Sequence, residues 1–383
     1  MSAGGPRRIV VVGNGIAGLT AADTLREAGF DGDLTVVGDE HRPAYSRPAL
    51  SKALLLDGDD TASHELPPAG HGASELLGVR ATGLDPGRRL VSLDDGTALP
   101  YDRLVLATGS RARRLSDLPE ELTLRGLDDA LVLRERLAAK PSVVVVGGGP
   151  LGMEIASGCL AVGCRVTLVS QGAPMARRLG AHLAGVFRAA ALDRGLTLVE
   201  TAAARVERGD GGARVRLDEG PVLEAELLVT AVGDLPNTEW LSGTGLVTGG
   251  AVPVDARGLA RPDVAAAGDL AVLPTAQGPR RVPLWSSAIE QAKVASRALV
   301  RGAEVPPLRL QPYFWTEQFG LALKAVGHFP VAGEPEYLDG GPGGGPALMR
   351  WSRPDGSGDV AALDYRIPIP RLRRTARSAR SAT

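Results

Sequence analysis

The sequence predicts an α/β fold with two Rossmann-like nucleotide-binding domains and a small α+β domain at the C-terminal end. Two observations predict the pair of domains. Gly13-Asn14-Gly15-Ile16-Ala17-Gly18 follows the apolar run Ile9-Val10-Val11-Val12, and Gly147-Gly148-Gly149-Pro150-Leu151-Gly152 follows Val143-Val144-Val145-Val146. A third observation, the broken strand signals from Pro312 onward, marks off the small domain. Each glycine cluster reads as a buried parallel strand, a tight turn and a helix start. The first glycine makes the turn, the second lets the backbone approach a pyrophosphate, and the third lets helix pack on strand. The helix N-terminus then faces the phosphate charge. One such cluster is weak evidence; two in this context point to two bound dinucleotides, most simply a flavin and a nicotinamide.

The elements follow in order. Ile9–Val12, Ala17–Ala28 and Leu34–Val37 read as strand, helix, strand. Residues 41–75 are loop-rich, with Pro43, Pro48, Pro67 and Pro68, and Leu104–Ala107 is a further buried strand ending in Thr108-Gly109. The unit then repeats as Val143–Val146, Leu151–Val162 and Val166–Val169, with a late strand Leu227–Val232 ending in Gly233. Val264–Ala267 leads into Gly268-Asp269 and reads as a return to the first domain; residues 286–300 read as a helix. The expected division is 1–113 with 247–311 for one nucleotide, 114–246 for the other, and 312–383 for the small domain. The tract Gly340–Gly345 reads as a flexible loop.

Composition bounds the function. A chain of 383 residues is long enough for two or three domains. A net charge of −1 gives no global field for nucleic acid or a membrane surface. No stretch approaches a membrane-spanning helix and the N-terminus runs almost directly into a strand, so a soluble cytoplasmic protein is expected. No metal site is expected. The cations are mostly Arg, with Lys only at positions 52, 140, 293 and 324. Both cysteines, Cys159 and Cys164, fall on the helix after the second cluster and read as small buried residues. The first nucleotide unit has no Cys, so a flavin there has no thiol relay. The basic stretch Arg371–Arg380 reads as a solvated terminus, or as a docking patch for an acidic partner.

An acidic residue about 20 positions past the glycines binds an adenosine ribose. After the first cluster Asp39 is favoured, with Glu40 the alternative; either also suits a solvated turn. After the second, Ser170-Gln171 stands where the carboxylate is expected, and Arg177 and Arg178 follow. A carboxylate would repel a 2′-phosphate and a serine does not, so NADPH stays open beside NADH. In the loop Tyr45-Ser46-Arg47-Pro48-Ala49-Leu50-Ser51-Lys52, Arg47 is a candidate for FAD phosphates and Lys52 for the flavin N5 region. Taken singly, each is more often an ordinary surface charge.

These motifs together resemble the FAD-dependent ferredoxin reductases that serve oxygenases, a family with the glutathione-reductase type of fold. Val37-Gly38-Asp39-Glu40 with the first cluster resembles the family's start, and Tyr45 to Lys52 its Tyr-Asp-Arg-Pro-Pro-Leu-Ser-Lys motif. Leu106-Ala107-Thr108-Gly109 and Ala267-Gly268-Asp269 resemble its further flavin motifs. Gly147 to Glu154 resembles its nicotinamide fingerprint, and Val232-Gly233 with Pro236-Asn237-Thr238 the end of its nicotinamide domain. Trp285 to Gln291 resembles its Trp-x-x-Ala-x-x-Gln helix, and Pro312-Tyr313-Phe314-Trp315-Thr316-Glu317-Gln318 its specific Pro-Tyr-Phe-Trp-Ser-Asp-Gln segment.

The resemblance implies FAD held by Gly13, Gly15, Ala17, Gly18, Asp39 or Glu40, Arg47, Lys52, Thr108, Gly109, Gly268, Asp269 and Trp285. Asp269 would hold the ribityl chain. NADH or NADPH would be held by Gly147, Gly149, Gly152, Ser170 and Gly233, with Glu154 orienting the nicotinamide and Trp315 shielding the isoalloxazine. Lys52, Glu154 and Trp315 are the residues expected nearest the chemistry. The implied activity passes hydride-derived electrons one at a time to a [2Fe–2S] ferredoxin that feeds a monooxygenase or dioxygenase, from a monomer or homodimer. Ser46 in place of Asp, Ser170 in place of an acid and the unusual C-terminal segment depart from the family. They leave room for an NAD(P)H oxidoreductase acting on O₂, a quinone or a small biosynthetic substrate, and for a nucleotide-binding protein without turnover.

Overall fold

The computed structural model describes residues 5–55, 61–67, 70–209, 212–218, 220–275, 277–343 and 345–377. Pro68, Gly344 and Ser378-Ala379-Arg380 of the motifs above lie outside the described residues. Contacts divide the chain into two compact units. The first comprises Met1–Ser46, His64–Arg111 and Leu235–Pro312, the second Arg47–Ser63, Ala112–Asp234 and Tyr313–Thr383.

The first unit is built on a six-stranded sheet in the order Leu259–Arg261, Val264–Ala266, Arg103–Leu106, Arg8–Val12, Asp33–Gly38, Ser74–Leu77. All neighbours are parallel except the first pair. A parallel sheet covered on both faces needs strands that are apolar throughout, and Ile9 to Val12 and Leu104 to Leu106 are each at most 2% exposed. On one face, helices Ile16–Glu27 and Trp285–Arg301 pack through Ala21, Ala22, Leu25, Ala288, Ala292 and Ala295. Small residues on both helices let them approach closely. The other face is covered through Val91, Leu93 and Tyr101, from a three-stranded antiparallel sheet, Ala81–Asp85, Leu90–Leu93 and Ala98–Pro100, and its edge.

The second unit repeats the theme with a five-stranded parallel sheet, Thr197–Glu200, Arg165–Ser170, Ser142–Val146, Leu227–Thr230 and Glu121–Leu122. Helix Pro150–Ala161 follows its central strand, with Pro at the first position, where the missing N–H costs nothing. The same unit holds a five-stranded antiparallel sheet in the order Tyr313–Gln318, Leu321–Val326, Gly358–Leu363, Ala347–Ser352, Glu336–Asp339.

The broken strand signals beyond Pro312 thus conceal a continuous sheet. One reason is Arg350, a charged residue in mid-strand that is only 5% exposed. Its guanidinium donates through Nη1 and Nη2 to the carbonyls of Thr375 and Gly356, which anchors it inside the fold. The start of the basic tail also differs from the solvated reading. Ile369–Arg377 is a helix, with Leu372 and Ala376 buried against Tyr313, Val326, Val360 and Ile367. Pro370 sits in its first turn, where proline is tolerated.

Candidate active site

Both glycine clusters close in the same way. Gly13 N–H donates to the Val37 carbonyl at 2.7 Å, and Gly147 N–H to the Val169 carbonyl at 2.8 Å. Gly13 has φ +117° and Gly147 φ +125°, in the region that favours glycine. A Cβ on Gly13 would lie 2.1 Å from the Ala107 carbonyl oxygen, and one on Gly147 2.3 Å from that of Ala231. A Cβ on Gly18 or Gly152 would lie 1.7 or 1.8 Å from the carbonyl oxygen of its own turn glycine. Thus the outer glycines of both clusters are forced by backbone.

The middle glycines are not. A Cβ on Gly15 or Gly149 would meet no atom within 4 Å, and the same holds at Gly109 and Gly233. Gly15 and Gly149 are the extended N-cap residues of their helices, with no side-chain cap on the first-turn N–H groups. An open backbone surface beside uncapped N–H groups suits a phosphate. Both clusters therefore fit a dinucleotide.

The further motifs of the first unit gather around its fingerprint. A Cβ on Gly268 would lie 3.2 Å from the Ala17 Cβ. Gly268 N–H donates to Gln291 Oε1 at 2.8 Å, so the Gln of the helix opened by Trp285 fixes the turn before Asp269. Asp269 accepts the Ser110 hydroxyl at 3.2 Å, and its carbonyl accepts from Arg281. Thr108 Oγ1 donates to the Asn237 carbonyl at 2.7 Å. Just past strand Asp33–Gly38, Glu40 accepts the Tyr45 hydroxyl at 2.7 Å, whereas Asp39 is exposed and 4.0 Å from Arg80 Nε. Asp39 is thus the more exposed of the two carboxylates.

In the second unit a buried carboxylate organises residues from three parts of the chain. Glu154, 7% exposed, lies one turn into helix Pro150–Ala161. Its Oε2 accepts from Lys52 Nζ at 2.8 Å and from the Ser51 hydroxyl; its Oε1 accepts the Thr316 hydroxyl at 2.6 Å. Gln318 Nε2 donates to Thr316 Oγ1 at 3.0 Å. Such donors are what a carboxylate needs to remain inside a fold. Lys52 arrives because Arg47–Leu55 packs in this unit through Leu54 and Leu55, both 1% exposed. A Cβ on Gly158 would come within 3.2 Å of Leu55, so the helix face is kept small there. Ser157 Oγ adds a second tie by accepting from the Phe319 N–H at 2.7 Å.

The sequence picked out Lys52 and Glu154 separately; the structure brings them together. Ser51, Thr316 and Gln318 were motif members without a role, and strand alternation alone could have paired Thr316 with Gln318 on one face. Trp315, on the opposite face, stacks on Tyr313 with ring centroids 5.5 Å apart. Arg47 Nη1 donates to the Arg125 carbonyl at 2.9 Å. Both cysteines are buried and free, and burial pushes the Cys159 thiol up to about 12.

Residues 7–297 match the family model of the pyridine nucleotide-disulphide oxidoreductases. The chain belongs to that family. Within this oxidoreductase family it belongs with the ferredoxin–NAD(+) reductases of oxygenase systems. It is 34% identical to the biphenyl dioxygenase system ferredoxin–NAD(+) reductase component of Paraburkholderia xenovorans, over 85% of this chain and 82% of that one. It is 35% identical to rhodocoxin reductase of Rhodococcus erythropolis, over 83% and 78% of the two chains. The solved covalent complex of putidaredoxin reductase with putidaredoxin superposes with a TM-score of 0.85, at 26% identity, over 97% of this chain and 92% of that one. Among the described residues, no helix of this oxidoreductase is long and apolar enough to cross a membrane.

Proposed function

We propose that the chain is an FAD-dependent NAD(P)H:ferredoxin reductase that supplies single electrons to a [2Fe–2S] ferredoxin serving an oxygenase. The observation that carries this reading is the pair of fingerprints whose middle glycines, Gly15 and Gly149, present open backbone. The relatives named for ferredoxin–NAD(+) reduction support it. FAD, when bound, supplies the two-electron to one-electron conversion between nicotinamide and ferredoxin.

The chain's own residues position and balance charge. Gly13, Gly15, Ala17, Gly18 and Asp39 would hold the FAD adenosine and pyrophosphate, with Thr108, Gly109, Gly268, Asp269 and Trp285 on the same segments. Arg47 would serve a phosphate. Gly147, Gly149, Gly152 and Gly233 would hold the nicotinamide dinucleotide. Lys52 offers a cation against negative charge that develops during transfer, and Glu154 fixes that cation. Trp315 would cover the ring system. No protein acid or base is required for hydride transfer, so orientation carries the protein's share. The domains would run 1–113 with 247–311 for FAD, 114–246 for NAD(P)H and 312–383 for partner contact, in a cytoplasmic monomer or homodimer.

The test is anaerobic mixing of the yellow holoprotein with NADH and with NADPH, following loss of the flavin band. The bleached protein is then mixed with a [2Fe–2S] ferredoxin. Bleaching followed by ferredoxin reduction is the expected result. Bleaching that only O₂ or a quinone reverses would replace the ferredoxin reading with a general oxidoreductase, and no bleaching by either nucleotide would end it.

A further inference from the structure

The end of strand Arg165–Ser170 is where the adenosine ribose of a dinucleotide on Gly147–Gly152 would lie, and its side chains there are unusual. Ser170 is 3% exposed, and its hydroxyl donates to the Gly172 carbonyl at 2.7 Å. It also lies against the fingerprint loop, since a Cβ on Gly148 would come 2.0 Å from Ser170 Oγ. Ser170 is therefore an interior residue, not a ribose ligand.

The next residue takes the exposed position. Gln171 Nε2 donates to the Ala202 carbonyl at 3.0 Å, and Gln171 Oε1 accepts from Arg177 Nη2 at 3.0 Å. Held by the neighbouring turn, Gln171 steadies the Arg177 guanidinium at the mouth of the strand. Among the described residues, Arg177 has no carboxylate within ion-pair distance. Glu200, the register partner of Ser170 on the adjacent strand, is turned to Arg188 Nε at 3.5 Å. The other arginine is spoken for: Arg178 lies over the Phe314 ring, 4.6 Å from its centroid. Of the two cations noted in the sequence, one is stacked and one faces solvent.

We infer that this site takes NADPH as well as NADH, with Arg177, oriented by Gln171, binding the 2′-phosphate. The inference rests on the nicotinamide reading of the second fingerprint. A ribose-binding carboxylate both accepts the 2′-hydroxyl and repels a 2′-phosphate; here the repulsion is gone and a guanidinium stands in reach. Guanidinium and phosphate pair through two parallel N–H···O bonds, and Arg177 has donors to spare beside the one used on Gln171. Gln171 is a positioning residue in this arrangement.

The experiment has two parts. Calorimetry compares 2′-phospho-ADP-ribose with ADP-ribose on the holoprotein, its Arg177→Ala variant and its Gln171→Ala variant. Both residues are exposed, so the variants fold. The wild type is expected to bind the 2′-phosphorylated probe at least as tightly as the other. Arg177→Ala is expected to weaken it about tenfold or more, leaving ADP-ribose within about twofold. Gln171→Ala gives a smaller loss confined to the phosphorylated probe. A phosphorylated probe that binds much more weakly than ADP-ribose, or equally in wild type and Arg177→Ala, overturns the inference. Flavin bleaching by both nucleotides is the second readout. Bleaching by NADH alone sinks the inference and leaves the reductase standing. Silence from both nucleotides sinks the reductase, while the calorimetry still decides the role of Arg177.

Discussion

The Thr316 hydroxyl donates to Glu154 Oε1 across 2.6 Å, tying the first strand of the antiparallel sheet to the helix of the second fingerprint. The two residues are 162 positions apart in the chain, and Thr316 is fully buried. Their bond fixes which way the carboxylate turns, and so where Lys52 is held.

Thr316→Val keeps the shape and removes the donor. A buried carboxylate that loses one donor is expected to cost about 1–3 kcal/mol, read from chemical denaturation of the holoprotein. Nicotinamide-driven bleaching should slow, with little change in the nucleotide concentration that half-saturates it. An unchanged rate with the stability loss present would make Thr316 a purely structural tie.

The glycines of each fingerprint should separate cleanly under substitution. Gly18→Ala and Gly152→Ala place a methyl on backbone oxygen, so both should fold poorly and give low soluble yield. Gly15→Ala and Gly149→Ala enter open space, so both should fold. The first should emerge pale, the second yellow but slow to bleach. Equal colour in Gly15→Ala and wild type would remove the first fingerprint from FAD binding.

Glu121 predicts part of the acid sensitivity. Burial pushes its carboxyl up, but bonds from Ser116, Thr230 and the Leu115 and Ser116 N–H groups outweigh this and hold it below the ordinary glutamate range. As pH falls, the unfolded chain therefore takes up this proton before the folded one. The stabilisation is complete above the unfolded value near 4.5 and fades as pH drops through the lower folded value. Thermal melts from neutral pH to pH 3 should show it, and Glu121→Gln should start less stable and flatten that fall.

Leu372→Ala should destabilise the second unit by about 3 kcal/mol, since Leu372 is fully buried under the antiparallel sheet. Tryptophan fluorescence should report it, because Trp315 packs against the same cluster.

A thiol reagent should leave bleaching untouched in the native holoprotein. Cys159 is fully buried with its thiol pushed up to about 12, so little reactive thiolate forms at neutral pH. Rapid modification before unfolding, with loss of bleaching, would bring the cysteines back into the mechanism.

The strand–turn–helix units were legible because each is local: apolar run, glycines and helix lie within about 20 residues. The Lys52–Glu154 pair was legible only as two separate motif residues. What joins them is tertiary: Leu54 and Leu55 carry Lys52 to the helix, and Thr316 comes from a different sheet. The sheet beyond Pro312 was obscured by Arg350, whose partner Thr375 lies on a helix that the sequence disguised with Pro368 and Pro370. Ser170 misled in another way. It stands where a ligand is expected, yet points into the fold and leaves the exposed position to Gln171.

The chain passes from one unit to the other after Ser46, Ser63, Arg111, Asp234 and Pro312. Neither unit is therefore a stretch that a ribosome can finish early. The first cannot close its sheet until Val264–Ala266 has emerged to pair with Arg103–Leu106, and Glu154 waits for Thr316. A synthesis stall before Val264 would leave both incomplete. A chimera exchanging one unit with a relative must transplant three separate segments, because no single crossover point yields an intact half.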